Sequence, residues 1–369
     1  MLDIIANLTV AELTAWVVVV ALNAYVLFGG ADFGGGVWDL LATGPRREQQ
    51  RSLISKAIGP IWEANHVWLI VVVVVLFVCF PPAFAAFGTI LHIPLSLMLV
   101  GIVLRGSAFI FRSYSYGPAT EQRRWGLVFA ASSLITPIVL GMIVGAVVSG
   151  SVGIALASIG TGRAAALPDA GSAAAPVSFA AIYVNPWISP FTLAVGAMTL
   201  ALFSFLAATY LTVEADGNTD LQDDFRRRAL GAAAAAAITA LIALALGVAR
   251  GGVMARLIGV GWSLPVLVGS ALAAAAAVFA LFRRHYRFAR VAAAGWVTLI
   301  LWGWALAQFP LIIPPGLTID AAAAPLETLE SNLAVLAGGA VILIPSLWYL
   351  LRVFKTNANS AAKTLARPE

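Results

Sequence analysis

The chain has 369 residues, 61% of them hydrophobic and 11% charged, with a mean hydropathy of +0.94. That composition excludes a water-soluble globule and points to an all-α polytopic membrane protein, a single integral membrane domain over residues 1–369. The formal charge of +5 is sorted by membrane side rather than gathered into a nucleic-acid patch, so no nucleic-acid partner is expected. The single cysteine, Cys79, excludes a disulfide framework and a cysteine-based metal site.

A span needs roughly 20 apolar residues. Nine are expected, at about 11–41, 54–81, 86–111, 125–149, 188–212, 229–249, 262–282, 291–312 and 332–353. MLDIIANLTVAEL has no Lys or Arg ahead of the first span, so that helix is expected to be retained rather than cleaved. Gly29, Gly30, Gly34, Gly35 and Gly36 interrupt its second half. Residues 150–187 are Ala/Gly/Ser/Pro-rich and read as an outer loop lying over the membrane face. Pro314 and Pro315 are expected to end the eighth helix. Ala-rich runs such as Ala232–Ala237 read as close-packing faces, and the nine helices can divide as four plus four plus one.

The basic residues test this count. Segments 42–60, 112–124, 213–228, 283–290 and the C-terminal tail hold 18 of the 22 Lys and Arg, whereas the alternate connections hold only Arg163, Arg250 and Arg256. The alternation predicts an N-terminus outside and a C-terminus in the cytoplasm. The remaining basic residue, Arg105, lies inside a span.

The most informative stretch is WEANHVWLIVVVVVLFVCFPPAF, from Trp62 to Phe84. Ionisable groups in hydrocarbon are costly and mark functional candidates when they have partners. Glu63 and His66 are three apart and share a helix face with Trp62 and Asn65 nearby. Orientation brings Asp32 from the first helix and Arg105 from the third to a similar depth in the cytoplasmic half. Two readings stay open. Arg105 neutralises an acid and locks three helices together, or the group is a proton path from the cytoplasm. Two acids against one permanent cation leave one free to hold an exchangeable proton. Trp62 and Trp68 read as packing or interfacial anchors.

Other polar residues carry less. His92 and His285 read as ordinary, Glu214 and Asp216 as a solvated helix end, and Gln308 as an interhelical hydrogen-bonding group. With three His and five Met, the chain is poorly equipped to hold several haems. No Walker loop, dinucleotide fingerprint or HExxH motif is present, and GGADFGGG follows no strand.

The motifs resemble subunit II of the cytochrome bd-type quinol oxidases across most of the chain. They are GGADFGGGVWDLL, Gly59-Pro60-Ile61-Trp62-Glu63-Ala64-Asn65, LRGSAFIFR, NPWISPFTLAVGAMTLALFSFLAATYLTVEA and WGWALAQFPLIIPPGLTIDAAAAPLETL, in that order. The resemblance implies the haem-poor subunit of a quinol:O2 oxidoreductase in a bacterial cytoplasmic membrane, not catalytic alone. It also implies a partner subunit I carrying haems b and d and the quinol site, and allows a small single-helix subunit as a further partner. In some relatives this subunit binds a structural quinone. By position it carries the family's acids over to Glu63 and Asp32. Together with His66 these are the proton-transfer candidates, and Arg105, Trp62, Asn65, Trp68, Gly59 and Pro60 are the motif or ion-pair residues. The sequence departs from the family at Gly29, where an acid is usual, at Glu63, where Asp is usual, at His66, where an acid or Gln is commoner, and at Ile110, where Glu is common. A relay through those acids cannot operate unchanged. Glu63 and His66 are left to carry it, or protons enter through subunit I. The competing classes are a secondary transporter, which shares the Gly-broken helix and midmembrane acids but lacks a second broken helix here, and a non-catalytic scaffold paralogue.

Overall fold

The computed structural model describes residues 8–59, 62–114, 119–161, 178–259, 261 and 263–365. Helix α1 (Val10–Leu40) opens on a reciprocal cap. Thr9 Oγ1 accepts from the Glu12 N–H at 3.1 Å, and the Glu12 carboxylate accepts from the Thr9 N–H at 3.0 Å. A short polar helix, α2 (Arg47–Ile58), separates α1 from the apolar α3 (Trp62–Cys79). The chain then bends by 115° into α4 (Pro81–Ile90). Phe80 leaves helical geometry at φ −134 and ψ 57. Pro81 and Pro82 occupy the first positions of α4, where an absent N–H leaves no bond unmade. Helices α5 (His92–Tyr114) and α6 (Ala119–Val148) follow.

Two short helices, α7 (Ser151–Thr161) and α8 (Phe179–Tyr183), flank residues 162–177. The second half contains α9 (Pro190–Glu214), α10 (Thr219–Arg250), α11 (Val253–Gly259), α12 (Ser263–Phe282) and α13 (Tyr286–Gln308). An antiparallel pair, β1 (Leu311–Ile313) and β2 (Leu317–Thr318), leads through α14 (Ile319–Ala322) to the long α15 (Leu326–Leu365). Among the described residues, eight helices are long and apolar enough to cross a membrane. The bent pair α3–α4 makes a ninth span when counted as one. The chain is a multi-pass, all-α membrane protein, and the expected nine spans are the upper figure, reached only with the bent pair.

Element boundaries depart from expectation at three places. The expected 54–81 span divides at Gly59 into α2 and α3. The expected start of the third span near residue 86 falls inside α4, and α5 begins only at His92. The eighth span ends at Gln308 rather than beside Pro314, because Pro310 offers no N–H to continue the helical ladder.

Packing divides the spans into two groups and one remaining helix. Helices α3 and α6 lie against α1, with α5 against α6. Helices α10 and α13 lie against α9, with α12 against α13. Helix α9 joins the groups by packing on both α1 and α6, and α15 rests on α1 and α3. The α1–α9 crossing is close because Gly34 has no side chain: a Cβ there would overlap the Phe203 carbonyl. Phe205, Phe225 and Trp296 anchor the larger core, between α9, α10 and α13. At the far end of the molecule Thr9 Oγ1 donates to Asp320 Oδ1 at 2.9 Å, joining the start of α1 to α14.

Candidate functional site

Two polar levels connect α1 to α5. On α1 the acids Asp32 and Asp39 are seven residues apart, and on α5 the arginines Arg105 and Arg112 are also seven apart. Two helical turns separate the members of each pair by roughly 10 Å, on one face.

At the first level Asp32 is 5% exposed and accepts a hydrogen bond from Asn65 Nδ2 of α3. Arg105 is 3% exposed, with its guanidinium carbon 4.7 Å from the Phe33 ring centre and 5.3 Å from that of Phe129. No ion pair joins Arg105 to Asp32 among the described residues, although the two lie within electrostatic reach of each other. Arg105 Nε and Nη2 have no hydrogen-bond partner among those residues. The aromatic faces stabilise the guanidinium in place of a direct carboxylate contact. His66 is half-buried between the Trp62 and Tyr25 rings, each 6.2 Å away. Trp62 lies over Gly106 of α5 and beside Phe109 at 6.1 Å, so it seals α3 against α5. Trp68 packs with Tyr25, Phe33 and Phe203. Gly59 ends α2, with its N–H donating to Ser55 O at 2.9 Å. Pro60 and the side chain of Glu63 lie outside the described residues.

The second level was not singled out by sequence reasoning. Asp39 is 2% exposed and is held by Arg112 through two bonds of 2.7 and 2.9 Å, with Arg51 Nε at 3.8 Å from its Oδ1. The equal spacing of two acids on α1 and two arginines on α5 is the signal that would have found it. A second network joins α1, α2 and α10. Arg46 grips Asp224 at 2.9 and 2.7 Å, and Gln50 donates to the same carboxylate at 2.9 Å. Arg228 donates to Gln50 at 2.8 Å and to Leu41 O at 3.1 Å. The Asp224 carboxylate holds the Arg46 guanidinium above its ordinary pKa range through that hydrogen bond. Glu214 and Asp216 sit at the end of α9 beside Arg290 and Arg287, at 3.7 and 3.8 Å.

A separate apolar cavity of about 310 Å³ opens between α1, α3, α4, α5, α6 and α13, lined by Trp16, Phe80, Phe84, Met98, Trp304 and Gln308 among others. The amide of Gln308 is engaged on both sides, accepting from Trp304 Nε1 at 2.8 Å and donating to Ile312 O at 3.1 Å. Among the described residues no group of three or more His, Cys, Asp or Glu is arranged around a metal position.

The comparisons with known proteins meet this geometry. A family model described as cytochrome bd terminal oxidase subunit II matches residues 10–354. The cytochrome bd ubiquinol oxidase subunit 2 of Bacillus subtilis is 32% identical over 130 residues, 35% of this chain and 38% of that one. The cytochrome bd-I ubiquinol oxidase subunit 2 of Escherichia coli is 28% identical over 140 residues, 37% of this chain and 35% of that one. These alignments span about a third of each relative. In overall shape the chain is similar to a chain in the structure of the bd oxidase from Geobacillus thermodenitrificans. The TM-score is 0.75 at 21% identity, covering 95% of this chain and 100% of that one, which is a likeness of fold. A model matched over residues 10–354 leaves little of the sequence outside it, and the chain belongs to the cytochrome bd terminal oxidase subunit II family.

Proposed function

We propose that the chain is the haem-poor subunit of a quinol:O2 oxidoreductase. It supports a haem-bearing subunit I and contributes a proton-uptake path from the cytoplasm. The family match over residues 10–354 carries the assignment to the complex. In this reading the complex sits in a bacterial cytoplasmic membrane, with the N-terminus of this subunit outside and its C-terminus inside, as the distribution of Arg and Lys supports. Haems b and d belong to the partner, and quinol reaches the complex through it. A small single-helix subunit is a further candidate neighbour. The partner supplies the redox chemistry, and this chain would hold and move protons.

The arrangement of α1, α3 and α5 supports the proton path. Asp39 is bonded twice by Arg112 and lies beside Arg51, whereas Asp32 is buried with an amide partner and, among the described residues, no bonded cation. Asp32 is therefore the better holder of an exchangeable proton, with Glu63 and His66 one helix away. The apolar cavity between α1, α3, α4, α5, α6 and α13 fits an apolar tail, such as that of a structural quinone or lipid. Its walls are aromatic and aliphatic, and Gln308 is already bonded on both sides.

The test uses the native complex. Co-purification with a haem-bearing partner and quinol-dependent oxygen uptake are expected. A haem-free homo-oligomer would instead support a transporter. Glu63→Gln is expected to slow turnover or proton uptake while leaving the complex assembled. Normal turnover with intact proton uptake in that variant would refute the path.

A further inference from the structure

Four polar atoms around Asp32 are buried without a hydrogen-bond partner among the described residues: Tyr25 Oη, His66 Nδ1, and Arg105 Nε and Nη2. They come from α1, α3 and α5, and Arg105 is within electrostatic reach of both Tyr25 and His66. Tyr25 is fully buried, two helical turns from Asp32 on the same face of α1. Its ring lies over Gly29, where an added Cβ would stand 3.0 Å from the Tyr25 ring edge. The His66 ring is 6.2 Å away, and both Asp32 and Arg105 are within electrostatic reach of the phenol.

A buried polar atom left unbonded costs about 1–3 kcal/mol, and native proteins satisfy such atoms with ordered water where no side chain does so. Four such atoms on three neighbouring helices supply the two to four polar partners that a buried water needs. The unpartnered hydroxyls of Ser133 and Thr136 differ. They abut Gly36 and Gly101, so close helix contact accounts for them.

We propose that ordered water fills the space between Tyr25, His66 and Arg105, and that the Tyr25 hydroxyl relays protons across it between Asp32 and His66. The inference rests on the proton-uptake reading above. In the relay, Tyr25 Oη accepts a proton from a water on the Asp32 side as its own proton passes to a water beside His66 Nδ1. One O–H bond forms as another breaks, so the phenol ends neutral, and rotation of the hydroxyl resets it. Arg105 fixes the waters through Nε and Nη2 and keeps a hydronium from settling there, because its own charge is permanent.

The experiment measures proton uptake and turnover of the whole complex in liposomes, in H2O and D2O, with haem content as a control. Tyr25→Phe keeps the ring over Gly29 and removes only the hydroxyl. It is expected to slow uptake at least about tenfold, with a larger solvent isotope effect and unchanged haem content. Gly29→Ala keeps the hydroxyl but displaces the ring, and a similar loss is expected. If Tyr25→Phe takes up protons normally while Asp32→Asn or Glu63→Gln is slow, the relay bypasses Tyr25 and the inference falls, though the uptake path stands. If all three take up protons normally, both fall. Loss of haem content, or slowing without a change in isotope effect, would make Tyr25 a packing residue and overturn the relay.

Discussion

Replacing Arg112 with Met removes two charge-assisted bonds, of 2.7 and 2.9 Å, from an aspartate that is 2% exposed. Leaving a buried carboxylate without its partner costs about 3–5 kcal/mol. Two features reduce that cost. The Arg112 side chain is itself 25% exposed, and Arg51 Nε remains 3.8 Å from Asp39 Oδ1. A loss of about 3 kcal/mol is therefore expected. Asp39→Asn should cost less, because the amide still accepts one of the arginine bonds. Combined in one chain, the two substitutions should cost less than their sum by about 2 kcal/mol, which is the coupling of the pair. Denaturing-detergent titration of the purified complex, followed by helicity of this subunit, measures all four corners of the cycle. A cost below about 1 kcal/mol for Arg112→Met, with additive behaviour in the double variant, would refute the buried ion pair as a stabilising link between α1 and α5.

Two further outcomes follow from the packing. Arg105→Leu is expected to lower assembly yield or haem content of the complex, because buried Asp32 loses its nearby cation; unchanged yield would count against that electrostatic coupling. Gly34→Val places a side chain on the Phe203 carbonyl, and overpacking of this kind costs about 1–3 kcal/mol or more. Loss of folded subunit is expected in expression trials, and wild-type yield would show that α1 and α9 can separate without penalty.

Hydropathy made the multi-pass, all-α architecture legible, because a bilayer imposes length and polarity on every crossing element. Asp32, Asn65 and Arg105 were legible for the same reason: each is an expensive group in an apolar run, and three consecutive helices bring them together. Asp39 lies in the same GGADFGGGVWDLL stretch but near the helix end, where a charged side chain costs less and carries less signal. Only the matching seven-residue spacing on α5 reveals its role. Tyr25 carried no signal, because an aromatic in an apolar helix is unremarkable until its hydroxyl is found without a partner. The bend at Phe80 was obscured because the apolar run continues through Pro81 and Pro82, and hydropathy does not register direction. The end of α13 was set by Pro310, four residues before the proline pair that had seemed the natural stop.

The contact between Thr9 and Asp320 spans 311 positions of sequence, and α15 completes its packing on α1 and α3. Because the chain is made from its N-terminus, α1 and α3 leave the ribosome long before their last neighbour exists. Their faces toward α15 stay open to lipid, or to a chaperone, through most of synthesis. The circuit closes only when the final helix inserts. A truncation just before Leu326 would thus strand a nearly complete subunit with an unsealed seam along α1 and α3, a natural checkpoint for quality control in the membrane.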